Sequence, residues 1–206
     1  VHVTGGYDDE KGGAIYSRSS ATLTLVNTTM SNCACKRGGA IYNYGSTYIY
    51  GGAFRGNRAD PDDDDDGGYG GMIYALGTFH ADGAYFGDGY AENGGAHIFL
   101  YLGSGETGVV ENAVVRNGLL GGSMDAFLYV RAAAEGVVLR NVSGANLRAL
   151  QSSGCLVYGN ECAGGYYEEG CVWANNTVGR GTHFLKDGSY RINGSTWVDN
   201  WGLKSG

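Results

Sequence analysis

Hydrophobic residues in this chain come in short runs with a period of two, broken by glycine and asparagine. Leu23-Thr24-Leu25, Tyr48-Ile49-Tyr50 and Val137-Val138-Leu139 are examples. A period of two sends alternate side chains to opposite faces, so each run predicts a short β-strand with one buried side. The runs recur within a larger pattern. Gly12-Gly13-Ala14-Ile15-Tyr16 returns as Gly38-Gly39-Ala40-Ile41-Tyr42, as Gly70-Gly71-Met72-Ile73-Tyr74, and in weaker form as Gly94-Gly95-Ala96-His97-Ile98. Gly38 to Asn57 also aligns without gaps on Gly181 to Asn200, placing Gly45 on Gly188, Ile49 on Ile192, Phe54 on Trp197 and Asn57 on Asn200. One such unit cannot bury its own apolar face. Units stacked about 4.8 Å apart can, because each strand then pairs in parallel with its copies above and below.

The predicted fold is therefore all-β: a right-handed parallel β-helix of about eight coils forming a single domain over residues 1–206. The coils are placed at about 12–32, 38–57, 70–88, 94–117, 121–146, 148–162, 164–178 and 181–200, with an acidic loop inserted at about 58–69. Glycine suits the corners, where positive φ is needed. An asparagine closes many coils (Asn32, Asn57, Asn117, Asn146 and Asn200, with Asp88 substituting), and it predicts a left-handed turn position with stacked, mutually bonded amides. Tyr16, Tyr42 and Tyr74 share a repeat position and predict an aromatic ladder. Buried, such a ladder is core; exposed, it would stack on sugar rings or a partner chain, and the buried form is preferred.

The pairing of Gly-Gly-Ala-Ile-Tyr with a later Phe-x-x-Asn, as in Phe54-Arg55-Gly56-Asn57, resembles the repeats of the polymorphic outer-membrane proteins of chlamydiae and of related β-helix proteins in protists and algae, within the pectate-lyase-like superfamily. That resemblance implies a cell-surface β-helix used in adhesion or as a spacer. It transfers no catalytic residue. The lyases of the superfamily combine calcium-binding aspartates with an Arg or Lys base, and its hydrolases use paired aspartates. Arg37, Arg55, Arg116, Arg140 and Arg191 have no evident acidic partner, so an enzyme is not expected.

Composition refines this picture. The chain has 39 Gly but one Pro, which fits many sharp turns and excludes collagen. With no long apolar run, no membrane span is predicted, and 14 Lys and Arg without a basic cluster speak against nucleic acid. Of the net charge of −7, six negative charges sit in Asp60 and Asp62 to Asp66. Asp62, Asp63, Asp64, Asp65 and Asp66 are candidate calcium ligands, but they lack the spacing of a preformed calcium loop, so a solvated excursion is expected and no cofactor. The four histidines share no repeat position.

Five cysteines lack zinc-site spacing. Cys155 and Cys171 each open an apolar strand and are the preferred disulfide, on the expectation that those strands stack in register; Cys162 competes, and Cys33 with Cys35 stays open. Asn27, Asn141, Asn175 and Asn193 head Asn-x-Ser/Thr sequons. Together these features predict an extracellular or cell-surface location with covalent N-glycans. Both termini read as repeat rather than cap, which predicts self-association end to end or neighbouring segments of a longer solenoid. A carbohydrate-binding face and a polysaccharide lyase or hydrolase are the alternative functions.

Overall fold

The computed structural model describes residues 1–18, 20–60, 67–120, 127–131, 136–149, 155–160, 164–179, 181–186 and 188–202. These form a parallel β-solenoid with four sheets running its length, and successive coils pair in parallel. Sheet 1 starts at Ile15–Ser17 and ends at His183–Leu185; sheet 2 runs from Leu23–Val26 to Tyr190–Asn193; sheet 4 runs from Ala34–Cys35 to Trp201–Gly202. Each of these three has seven strands, while sheet 3 has eight because His2–Thr4 precedes Thr29–Ser31.

The described chain thus makes seven sets of four strands, and the expected sixth and seventh coils are one. Val157–Asn160, Tyr166–Glu169, Val172–Ala174 and Thr177–Val178 occupy sheets 1, 2, 3 and 4 of the same turn. From the start of sheet 2 to the end of sheet 4 every coil has the same length, at 23–35, 47–59, 79–91, 108–120, 137–149, 166–178 and 190–202. All insertions fall elsewhere. A strand can stack on its copies only if the turns between keep their length, whereas a loop leaving the solenoid is free to vary.

The core is a set of vertical columns. In sheet 1, Ile15, Ile41, Ile73, Ile98, Leu128 and Val157 stack inward. In sheet 3, Met30, Phe54, Phe86 and Val115 do the same, and the Phe54 and Phe86 rings stack 5.4 Å apart. Gly144 interrupts this column where the buried Trp173 needs room, for a Cβ there would lie 2.4 Å from the indole ring.

Two turns join the constant segment, and each carries its own left-handed column. Between sheets 2 and 3 it comprises Asn27, Gly51, Gly83, Asn112, Asn141, Gly170 and Gly194, all at φ between 47° and 69°. Between sheets 3 and 4 it comprises Asn32, Gly56, Asp88, Asn117, Asn146, Asn175 and Asp199 at 49° to 59°. Asn32, Asn117, Asn146 and Asp88 therefore take the turn position predicted for them, with Asn117 Nδ2 donating to Asp88 Oδ1 at 3.0 Å.

Asn57 and Asn200 do not belong to that column. They stand one residue later, beside Asn176, and point inward. Asn57 accepts from the Cys33 amide at 3.0 Å and donates to the Met30 carbonyl at 3.0 Å, tying its corner to the coil above. Asn176 accepts from the Leu147 amide, and Asn200 donates to the Trp173 carbonyl. Replacing Asn57 by Leu strands a buried donor and a buried acceptor, so chemical denaturation should show a loss of about 1–3 kcal/mol. Asn32→Gly, at a turn whose φ glycine also accepts, should cost a few tenths.

Candidate functional sites

The tyrosine ladder exists and extends further than predicted. On the outer side of sheet 1, Tyr42 stacks on Tyr74 at 4.8 Å, Tyr74 on Phe99 at 4.4 Å and Phe99 on Tyr129 at 4.8 Å. Its central rings are not a free platform: Tyr42, Phe99 and Tyr129 are almost entirely buried, and Tyr69 lies edge-on to both Phe99 and Tyr129. The ladder is a second, outer core. Its beginning opens to solvent, where Tyr16 and Tyr44 are 42% and 39% exposed.

The outer face of sheet 2 carries a polar ladder. His80 Nε2 lies 2.8 Å from Glu111 Oε1, and Arg140 bridges Glu111 at 3.6 Å and Glu169 at 3.8 Å. Arg140 thus has the acidic partners that its sequence neighbourhood hides, because they belong to the coils above and below. Arg140 and Arg191 both approach the Tyr167 ring, at 5.9 and 5.8 Å. Asn112 Nδ2 donates to Asp82 Oδ1 at 2.7 Å, and Asn141 Nδ2 to Asn112 Oδ1 at 3.1 Å, forming the stacked amide ladder on the other turn. Cross-strand pairs of this kind stabilise a sheet by fractions of a kcal/mol each.

The most unusual site is inside the last two coils. Glu168 occupies the inward column that holds Leu25, Ile49, Ala81, Val110 and Leu139 in the coils above, and its side chain is fully buried. The Tyr166 hydroxyl donates to Oε2 at 2.5 Å, the Trp173 indole N–H to Oε1 at 3.1 Å, and His183 Nε2 lies 2.8 Å from Oε2. A carboxylate only accepts, so His183 carries its proton on Nε2. Burial alone would raise the Glu168 pKa; the bonds and charge of His183, with bonds from Tyr166 and Ser195, outweigh it and hold the group down at about 2. The Tyr166 hydroxyl is pushed well above its ordinary value, first by burial and then by Glu168.

His183 reaches this position through a one-residue departure from the gapless repeat. It pairs with Val157, which places it in the column of Ile41 and Ile73, whereas the ungapped alignment puts Phe184 there. The same correction applies to His97. Gly95 shares its positive φ with Gly70 and Gly38, and Met72 and Ile73 both donate to the His97 carbonyl, so Gly95-Ala96-His97-Ile98-Phe99 is the repeat and His97 aligns with Met72. His97 is fully buried. Its Nε2 lies 3.4 Å from the Arg116 carbonyl, and its Nδ1 has no hydrogen-bond partner among the described residues. It fills the corner left open by Gly89 and Gly118, and burial lowers its pKa to about 4 against weaker opposing effects of the Arg116 carbonyl and Asp88.

Cys155 and Cys171 do not stack. Cys155 precedes the sheet 1 strand of its coil and Cys171 the sheet 3 strand, so they face different sheets and the expected disulfide fails with the merged coil. Cys33, Cys35 and Cys171 are buried thiols. Cys162 and the candidate calcium ligands Asp62 to Asp66 lie outside the described residues; Asp60, at the start of that loop, pairs with Arg58. Among the described residues no three metal-ligating side chains cluster, and no helix is long and apolar enough to cross a membrane. The four sequon asparagines are all exposed: Asn27 and Asn141 share the corner between sheets 2 and 3, Asn193 immediately precedes it, and Asn175 stands on the next corner. Compared with protein-family models, curated proteins and solved structures, the chain matches none.

Proposed function

We propose that this solenoid is an N-glycosylated extracellular module serving as a spacer or adhesive rod, akin to the surface β-helix proteins whose Gly-Gly-Ala-Ile and Phe-x-x-Asn repeats it resembles. The observation that carries the proposal is the exposure of all four sequon asparagines on one continuous stack, Asn27, Asn141 and Asn175 on turns and Asn193 at the end of a strand, with three of the four along a single edge. Glycans there extend into solvent without disturbing a strand pair. The polar ladder on sheet 2 supports a structural role over a catalytic one, since His80, Glu111, Arg140 and Glu169 engage one another. A rise of about 4.8 Å per coil makes length additive, which suits a spacer.

Secretion from a glycosylating host tests the reading. The intact mass should exceed that of the polypeptide by several N-glycans and fall on enzymatic deglycosylation, and each of Asn27→Gln, Asn141→Gln, Asn175→Gln and Asn193→Gln should remove one step. Beads coated with the glycoprotein should be retained on cell or matrix surfaces. A secreted protein without sugar, or a glycosylated coat that retains nothing and does not extend as a rod in solution scattering, overturns the proposal.

A further inference from the structure

The open beginning of the tyrosine ladder is built differently from the rest. Tyr16 and Tyr42 meet edge to face at 5.7 Å, Tyr42 and Tyr44 at 5.2 Å, and Tyr16 and Tyr44 are tilted at 6.4 Å, so three rings form mutually inclined walls. The Lys11 ammonium lies 5.8, 5.5 and 5.9 Å from their centroids. Ring faces at this range attract a cation, and several rings around one cation form an aromatic cage. Two of the walls are held independently of their occupant. Tyr42 is stacked on Tyr74 and buried, and Tyr16 and Tyr42 are register neighbours in paired strands.

Lys11 is also held in two separable parts. Its backbone is pinned by Asp8, whose carboxylate accepts from the Glu10 and Lys11 amides at 2.8 Å each. Its ammonium makes no ion pair among the described residues and is retained by the rings and the Tyr44 hydroxyl. A groove of about 330 Å³ lined by Asp8, Asp9, Glu10, Lys11 and Tyr16 opens beside it. Three acidic residues in a groove that shares Lys11 and Tyr16 with the aromatic cage favour an incoming cation on electrostatic grounds.

We propose that Tyr16, Tyr42 and Tyr44 form a receptor for an alkylammonium group, closed in this state by the chain's own Lys11, and that its ligand is a lysine side chain of a partner protein. The resident ammonium is itself a lysine, so the cage already fits that group. The acidic rim adds attraction for a basic peptide, whereas a neutral ligand gains nothing from it. Displacement of Lys11 makes the site self-competing, because the tethered ammonium is always present at high effective concentration. The proposal does not depend on glycosylation and extends the adhesive reading to a partner chemistry.

The test follows tyrosine ring signals by NMR during titration with a tri-lysine peptide, in the wild-type chain and in Lys11→Ala. Lys11→Ala should bind the peptide at least about tenfold more tightly than wild type, corresponding to about 1.4 kcal/mol of relieved competition. Adding Tyr44→Ala or Tyr16→Leu to Lys11→Ala should abolish the ring shifts, and circular dichroism should show the solenoid retained. Choline titrated in parallel decides the ligand class, since tighter binding of choline than of the peptide would overturn the lysine assignment. Failure of Lys11→Ala to bind either probe, or binding that survives loss of Tyr16 and Tyr44, would overturn the receptor itself.

Discussion

Glu168→Ala is expected to lose about 3–5 kcal/mol of stability, the largest effect of any single substitution considered for this chain. Removing the carboxylate leaves the Tyr166 hydroxyl, the Trp173 indole N–H and the His183 ring in an apolar interior without their common acceptor. A stacked repeat unfolds from its weakest interface, so the loss should be concentrated in the last two coils. The protein reports this directly: its three tryptophans, Trp173, Trp197 and Trp201, all lie there. Tryptophan fluorescence in urea should show an early transition in Glu168→Ala, preceding loss of the β signal from the remaining coils. Replacing both charged partners, Glu168→Leu with His183→Leu, restores the aliphatic columns and should recover part of the stability, the Tyr166 hydroxyl and Trp173 N–H still lacking their acceptor. Coincident transitions with an unchanged midpoint in Glu168→Ala would refute the role assigned to the cluster.

Acid should weaken the fold in two successive windows, the first governed by His97. Its folded-state pKa of about 4 lies below the ordinary value of 6.5, so the unfolded chain binds the proton more readily. The associated stability is fully present above pH 6.5 and is lost as pH falls toward 4, amounting to about 3 kcal/mol at 1.36 kcal/mol per pH unit. Glu168 adds a second window: with its pKa held at about 2 against 4.5, its contribution is present above pH 4.5 and declines below it. Urea midpoints of wild type and His97→Leu between pH 7.5 and 4 separate the two. His97→Leu should abolish the first window and equal or exceed wild type at neutral pH, since it removes a buried nitrogen that has no hydrogen-bond partner among the described residues. Parallel pH profiles for the two proteins would rule out His97 as the first titrating group. Hydrogen exchange in acid should increase first near residues 88–98 and 116–118, where His97 packs.

The strands and their direction were legible before any coordinates. Leu23-Thr24-Leu25, Tyr48-Ile49-Tyr50 and Val137-Val138-Leu139 all fall in sheet 2 with alternate residues outward, Thr24, Tyr48, Tyr50 and Val138 facing away from the core and Leu25, Ile49 and Leu139 facing it, as a period of two requires. Tyr16, Tyr42 and Tyr74 fall in one column because their motif repeats without a gap. What misled was register. Gly94-Gly95-Ala96-His97-Ile98 looks like the other glycine motifs when its first glycines are matched, yet the left-handed corner is Gly95, and the shift by one moves His97 out of the column of Ile73 and into the corner position of Met72. The extra residue before Gly188 brings His183 into the column of Ile41 and Ile73 in place of Phe184, and a one-residue offset separates Asn57 and Asn200 from the turn asparagines.

Sequence alone determined that this chain is a stack of short parallel strands, because period-two runs and a recurring glycine corner bury apolar surface only when copies lie on one another. Tertiary structure alone decided which residues share a column wherever the repeat slips by a residue. A slip of one residue exchanges the two faces of a strand at little visible cost in the sequence pattern, and only the stacked backbone, by requiring each corner to sit on the corner above, selects one register. That selection placed Glu168 against His183, gave Arg140 its carboxylates and gathered three tyrosines around Lys11. Each of these groupings joins residues from different coils, so no local stretch of sequence contains them.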